Sequence, residues 1–311
     1  MINFSLEKKL QLILPNQNKA LAQVLKDATP TQLLQLTNSK DLNSLLVGIL
    51  QKSIDSPEQN ATLLTLLKSN PTLKELANFT SSLKTLQTLL TKQEPPLELE
   101  KNIKNFLGEL NQINPKELKT KIENSGVFLE SKLLQTNTPQ ETKALLQNDL
   151  KALLLQTYEE ISNGNTPNKQ ELMRALERVI LQLDYYQLSS HLSNGSAFYV
   201  PYSWDALEEG VITIKQFKEK AYFCDIDLKL KEHGELKLRL GLFEQKLLNI
   251  NIQTQSKLLK EKITEQLSEL KKALFDVGIT PGEIRFIEDT NNSNSYATTD
   301  TNLQAGFEVK V

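Results

Sequence analysis

Cysteine is almost missing from this chain: its 311 residues hold one, Cys224. A single thiol excludes an intrachain disulfide framework and gives no sign of an oxidising compartment. Histidine is nearly as scarce, and His191 and His233 lie too far apart to assemble a zinc set of ordinary His/Cys spacing. No dinucleotide glycine fingerprint, phosphate loop or nucleophile elbow occurs. No run of roughly 18 apolar residues is found, so no membrane span is expected. Met1 to Leu14 lacks the basic-then-apolar order of a secretory signal. A net charge of −2 provides no general attraction to nucleic acid or to an anionic membrane. The lysines of 257–262 and 271–272 alternate with Glu261, Glu265 and Glu269, the pattern of a solvated mixed-charge helix face rather than a phosphate track.

What remains is an ordinary soluble composition, 39% hydrophobic and 24% charged, in a chain long enough for two domains. Residues 1–193 are rich in Leu, Gln, Asn, Lys and Thr and poor in aromatics and glycine. Leucine clusters at Leu33, Leu34, Leu36, Leu45, Leu46, Ile49 and Leu50, and again at Leu63, Leu64, Leu66 and Leu67, predict short amphipathic helices. Breaks fall at Pro15, Pro30, Pro57, Pro71, Pro95-Pro96, Pro115, Pro139 and Pro167. Proline after Ser, Thr or Asn opens helices, so about eight short helices joined by polar turns are expected. The leucines serve either packing or a bound partner. After a turn at Asn194-Gly195, Phe198-Tyr-Val-Pro-Tyr-Ser-Trp204 clusters aromatics, as a cap over a core or as a ligand cage.

From Ala221 onward the period changes to two. Tyr222, Cys224, Ile226, Leu228 and Leu230 alternate with Phe223, Asp225, Asp227 and Lys229, then come Leu236, Leu238, Leu240 and Leu242, then Leu248, Ile250 and Ile252. Such alternation predicts antiparallel strands with one buried and one wet face, with Gly234 supplying a positive-φ reversal. A shorter strand is predicted before them, at Val211–Lys215. Leu259, Ile263, Leu267, Leu270, Leu274 and Val277 then fall on one helical stripe over 257–277, with Ser256 as N-cap and Gly278 closing the helix. A last strand is expected to bury Ile284 and Phe286. The predicted fold is α+β: a helical region over 1–193, a β-β-β-α-β domain over 194–288 with one helix on an antiparallel-rich sheet, and a polar tail over 289–311 carrying a short terminal strand.

That order, with Leu228-Lys-Leu-Lys-Glu-His-Gly-Glu-Leu-Lys-Leu-Arg-Leu240 and Leu270-Lys-Lys-Ala-Leu-Phe-Asp-Val-Gly-Ile279, resembles the C-terminal domain of flagellar hook-length control proteins, the FliK type. The turn Lys231-Glu232-His233-Gly234 keeps the family's glycine but lacks its proline and leucine. Asn124-Ser-Gly-Val-Phe-Leu-Glu-Ser-Lys-Leu133 and Asp149-Leu-Lys-Ala-Leu-Leu154 are similar to a segment upstream of that domain in some relatives.

The resemblance implies a non-enzymatic regulator of type III export. Its N-terminal part would gauge hook length, and its C-terminal domain would touch the cytoplasmic domain of the export switch protein (FlhB type) and change the substrate class. Hook or hook-cap subunits are further partners, and nucleic acid and membrane insertion are not expected. The resemblance also implies a cytoplasmic protein that is then exported through the flagellar apparatus without a cleaved signal. The other reading is a cytoplasmic helical binding module or export chaperone. Partner-contact residues implied by the resemblance are Leu236, Leu238 and Leu270, which equally fit core positions. No catalytic, cofactor-binding or metal-ligating residue is assigned. Asp225 and Asp227 share one strand face but alternate into Lys229, His233 sits in a turn, and Cys224 falls among core positions.

Overall fold

The computed structural model describes residues 18–29, 31–32, 57–74, 76, 78–93, 97–110, 114–217 and 219–287. The expectations for Leu33 to Leu50, for Pro15, Pro30 and Pro95-Pro96, and for the 289–311 tail lie outside these residues. The chain is α+β, as its two periodicities imply. It divides into two compact units, 1–193 with 198–204, and 194–197 with 205–311. The aromatic segment Phe198–Trp204 therefore groups with the helices.

In the helical unit, short polar side chains start the helices by accepting hydrogen bonds from free N–H groups of the first turn. Asn18 caps α1 (Lys19–Asp27) and Asn78 caps α4 (Phe79–Leu90). Pro57, Pro71, Pro115 and Pro139 each stand at the first residue of a helix: α2 (Pro57–Ser69), α3 (Pro71–Lys74), α6 (Pro115–Glu123) and α8 (Pro139–Asn148). Thr138 and Glu141 complete a reciprocal capping box on α8. Between these lie α5 (Glu98–Asn102), β1 (Gly108–Glu109), α7 (Leu129–Gln135) and α9 (Leu150–Asn163). Pro167 departs from the pattern: α10 (Lys169–Leu192) starts two residues later, after Asn168 in left-handed backbone (φ 54°).

The 24-residue α10 is the axis of this unit and packs against α1, α2, α4 and α9. Leu188 and Leu192 join Leu21, Val24, Leu63, Leu67 and Leu73 in a water-free cluster. Tyr199 is buried here, its ring stacked on Phe79 at 3.8 Å, and its hydroxyl donates to the Ser125 carbonyl at 3.5 Å. The aromatic segment thus closes a core, the first of the two readings given above.

The second unit is built on a sheet of order β2-β4-β5-β6-β7-β8. Its strands are β2 (Ser196–Tyr199), β4 (Leu207–Phe217), β5 (Ala221–Leu230), β6 (Gly234–Phe243), β7 (Leu247–Thr254) and β8 (Thr280–Phe286); the short β3 (Tyr202–Ser203) pairs instead with β1 in the helical unit. Strands β4 to β7 pair antiparallel, and β8 pairs parallel with β7 through the crossover helix α11 (Lys257–Asp276). The strand before Ala221 is longer than predicted, since Leu207 to Phe217 pairs along the whole of β5.

The register aligns like with like. One row runs Ile212, Ile226, Leu238, Ile252, Phe286 across five strands, and the next runs Ile214, Cys224, Leu240, Ile250, Ile284. On the other face a polar row runs Thr213, Asp225, Arg239, Asn251, Arg285. Within it Arg239 Nε donates to Asp225 at 2.7 Å and Arg285 Nε to Asn251 at 3.0 Å. Asp225 is therefore ion-paired in the ladder rather than free in solvent.

Gly234 and Gly278 take the positive φ expected of them, 70° and 80°. The β6–β7 turn places two non-glycine residues in left-handed backbone. Glu244 and Gln245 both adopt left-handed backbone, with φ of 50° and 59°. Phe243 pairs with Leu247 across the three-residue loop Glu244-Gln245-Lys246, and two successive residues at positive φ favour Asn-Gly, because other side chains crowd the backbone there. Replacing Glu244-Gln245 by Asn-Gly is expected to stabilise the sheet by about 1 kcal/mol. Urea denaturation followed by circular dichroism measures this, and an unchanged or lowered midpoint contradicts the strain argument.

Candidate functional site

The densest chemistry in the helical unit surrounds Lys151, on the first turn of α9. Its side chain is 2% exposed, and its ammonium lies 2.8 Å from Asp184 and 2.6 Å from Glu130. Gln187 accepts a third hydrogen bond from the same nitrogen and donates in turn to Glu130 and to the Gly126 carbonyl. The other oxygen of Asp184, itself 0% exposed, accepts the backbone N–H of Lys19 at 2.8 Å. One buried cation thereby ties together α1, α7, α9 and α10.

Asp149 stands beside it as the N-cap of α9, accepting from the backbone of Lys151 and Ala152 and pairing with Lys132 at 3.4 Å. Lys132 also donates to the Glu123 carbonyl, and the Leu150 N–H to the Asn124 carbonyl. Segments 124–133 and 149–154, singled out separately by their sequence, are thus two sides of one ionic joint. Gly126 makes the joint close: its φ is 88°, and a Cβ there would sit 2.8 Å from the Lys151 backbone nitrogen. Any side chain at 126 would pry the two segments apart.

Burial would depress the ammonium pKa of Lys151, but the pull of Asp184 and Glu130 outweighs it, and the net direction is up. A lysine so held has no lone pair to offer as base or nucleophile. Its chemistry is electrostatic: charges out of water must stay paired, so the four helices keep one arrangement. Burial lifts Asp149 from the usual 3.8 to about 6, against the opposing pull of Lys132. Sequence reasoning did not single out this cluster. The available signal was a lysine in the run Leu150 to Leu155 with no acidic residue three or four positions away.

In the C-terminal unit the three residues proposed for partner contact have different fates. Leu236 is buried, Leu238 is half-buried in the first apolar row, and Leu270 is 37% exposed on α11. Leu236 and Leu238 are neighbours on one face of β6. Leu236 pairs with Thr254, next to the start of α11, whereas Leu270 lies about 20 Å farther along the helix. The stripe expected to seal the sheet is only partly used. Leu259, Ile263, Leu267 and Leu274 are half-buried, Val277 is 70% exposed, and no residue of α11 is fully buried. The reason is placement: as the crossover between the last two strands, α11 packs on β7 and β8. Cys224, Ile226, Leu238 and Leu240 remain half-exposed in the apolar rows.

His233 is half-buried, its Nδ1 3.5 Å from Ser256 Oγ, the oxygen that caps α11. Burial, with a smaller contribution from Asp225, pushes the Cys224 thiol up to about 11, so it stays protonated. Among the described residues no group of three or more His, Cys, Asp or Glu is arranged to hold a metal, and no helix is long and apolar enough to cross a membrane. Compared with known proteins, the chain matches no family model, no curated protein and no solved structure.

Two measurements test the joint. Lys151→Met strands buried carboxylates and is expected to cost about 3–5 kcal/mol. Trp204, the chain's single tryptophan, lies in the same unit and reports its unfolding by fluorescence. A loss below about 1 kcal/mol contradicts the pairing. The second measurement concerns pH. Because the folded state holds the Asp149 proton to about pH 6 and the unfolded chain only to about 4, this group's contribution to stability falls as pH rises through that window. Asp149→Asn keeps a capping oxygen but does not titrate. The stability of the variant relative to the parent is therefore expected to rise by up to about 3 kcal/mol between pH 4 and 7. A difference that stays flat across that range rules out the raised carboxyl.

Proposed function

We propose that this chain is a non-enzymatic regulator of flagellar type III export, acting in hook-length control through protein–protein contact. The sheet unit switches export from hook-type to filament-type substrates by touching the cytoplasmic domain of an FlhB-type switch protein. The helical unit belongs to the part that travels through the export channel as a gauge. The observation that carries this reading is the half-covered apolar face of the sheet, formed by the same β5–β6 hairpin, Leu228 to Leu240, on which the family resemblance rests.

Other features support it. The succession β5-β6-β7-α11-β8, preceded by β4, supports the likeness to that domain. Two apolar rows with half-exposed centres suit a surface that docks through that face. Of the three contact candidates, Leu238 and Leu270 keep accessible side chains, while Leu236 is buried. The N-terminal helices are short, mostly 4 to 14 residues. Helices of that length are marginal by themselves, so a chain drawn through a narrow channel surrenders them readily.

Removing residues 205–311 is expected to give overlong hooks without filaments, seen by electron microscopy of cells carrying the truncated gene. Deletions within the helical unit are expected to change hook length while filaments still form. Hooks of ordinary length bearing filaments after removal of the sheet unit overturn the switch. Full-length protein in the culture medium supports the gauge, whereas retention of the whole pool in the cytoplasm favours a chaperone that holds a partner there.

A further inference from the structure

We infer that the outer edge of β8 is an interface between two copies of this chain, which pair β8 with β8 antiparallel about a twofold axis at Ile284. This inference does not depend on the export reading.

β8 is the last strand in the sheet order, and among the described residues nothing pairs with its outer side. The Ile287 N–H donates to the Ile252 carbonyl of β7. Successive peptide groups of a strand point to opposite edges, so Arg285 also faces β7, while Ile284 and Phe286 present their N–H and C=O groups outward. Such an edge is a template for another strand. Pro281 and the register shift that follows it end the regular stretch, so the pairing centres on 283–285.

That stretch is self-complementary. With the axis at Ile284, each Ile284 exchanges both of its backbone hydrogen bonds with its copy. Glu283 then lies opposite Arg285 of the second copy, and Arg285 opposite Glu283 of the second copy. These are the non-hydrogen-bonded pairs of an antiparallel ladder, the ones whose side chains come closest. Glu283 and Arg285 already stand 3.5 Å apart along one strand, so two copies close a ring of four alternating charges. Moving the axis by one residue sets Arg285 against Arg285, or Glu283 against Glu283, and like charges directly opposite destabilise a pair. An axis between two residues turns the apolar face of one copy to the polar face of the other. The charges therefore select one arrangement, and it is isologous, as a closed dimer requires.

α11 adds a second contact. Lys257, Lys260, Thr264, Lys271 and Phe275 recur at helical spacing along one flank. Lys260 Nζ lies 5.2 Å from the centre of the Phe286 ring, which places this flank over β8. Phe275 is 60% exposed at one end of it, and at the other end Lys257, Lys260, Glu261, Thr264 and Glu265 line a groove of about 400 Å3. As a crossover helix α11 runs antiparallel to β8, and Ile284 sits about 7 Å from Phe286, which is roughly four to five helical residues past Lys260. The axis therefore passes near the middle of the helix. It exchanges the two ends of the flank and brings Phe275 of each copy to the groove of the other. The lysine and glutamate stems lining that groove are apolar with charged tips, so an aromatic ring fits among them. Two such helices, each lying over β7 and β8, stand about 10 Å apart, an ordinary packing distance.

Sedimentation of the full chain tests this. The parent is expected to show a monomer–dimer equilibrium, with its Ile284 and Phe286 amides gaining hydrogen-exchange protection as concentration rises. Glu283→Arg and Arg285→Glu are each expected to weaken the dimer about tenfold or more. Mixed in equal amounts, the two variants are expected to form a heterodimer as tight as the parent dimer, because every Arg then meets a Glu. Mixing would not repair a merely structural loss at either site. Phe275→Ser is expected to weaken the dimer while circular dichroism stays unchanged. A parent that remains monomeric up to about 1 mM overturns the interface. So do variants that dimerise as the parent does, or that fail to recover on mixing. Protection of Ile284 and Phe286 that is independent of concentration puts another segment of the same chain on this edge, and rules out the second copy.

Discussion

The helical unit depends on one ammonium group placed where water cannot reach it. Burying the Lys151 charge costs several kcal/mol unless it is paired, and here Glu130 and Asp184 pair it from two different helices. Once those carboxylates are dry they in turn need the lysine, so no member can leave alone. The cluster therefore contributes more to uniqueness than to net stability. Leucine cores tolerate sliding, because one aliphatic contact resembles another. A buried ion with directed hydrogen bonds does not, and α1, α7, α9 and α10 are held in the one arrangement that satisfies it.

Packing around the joint follows from its size. Gly126 lets two backbones approach closely, Asp149 caps α9 and meets Lys132, and Tyr199 fills the neighbouring space against Phe79 and the Ser125 carbonyl. Short helices of leucine, glutamine and asparagine have little to define their mutual angles. An ionic joint, an aromatic stack and the long α10 define them.

The sheet unit solves a different problem. Its strands sort side chains so that one face carries a ladder of ions and amides beside an aromatic cluster of Phe217, Phe223 and Phe243, and the other carries two rows of aliphatics. One amphipathic helix, tied by its connections to β7 and β8, is too narrow to cover a face of that width, since a helix is about 10 Å across and strands lie about 4.8 Å apart. Half-exposed aliphatics over β5 and β6 follow from this geometry.

Much of this was legible in the chain itself. Period two specified β5, β6 and β7 and the faces of Ile226, Leu238 and Ile252, because alternation leaves each strand one orientation toward a core. Prolines after short polar residues marked the starts of α2, α3, α6 and α8, and Gly234 and Gly278 marked reversals, since each of these residues restricts or permits particular backbone angles locally. The partner of Lys151 was not legible. Asp184 is far away in sequence, and an ion pair between distant residues leaves no periodic trace. Nor could the helical stripe from Leu259 to Val277 reveal how much of it would be covered, because burial depends on where the crossover places α11 on the sheet. Local angles and alternation belong to the sequence by itself; which charges meet, and which apolar surface stays open, are settled only when distant segments share one space.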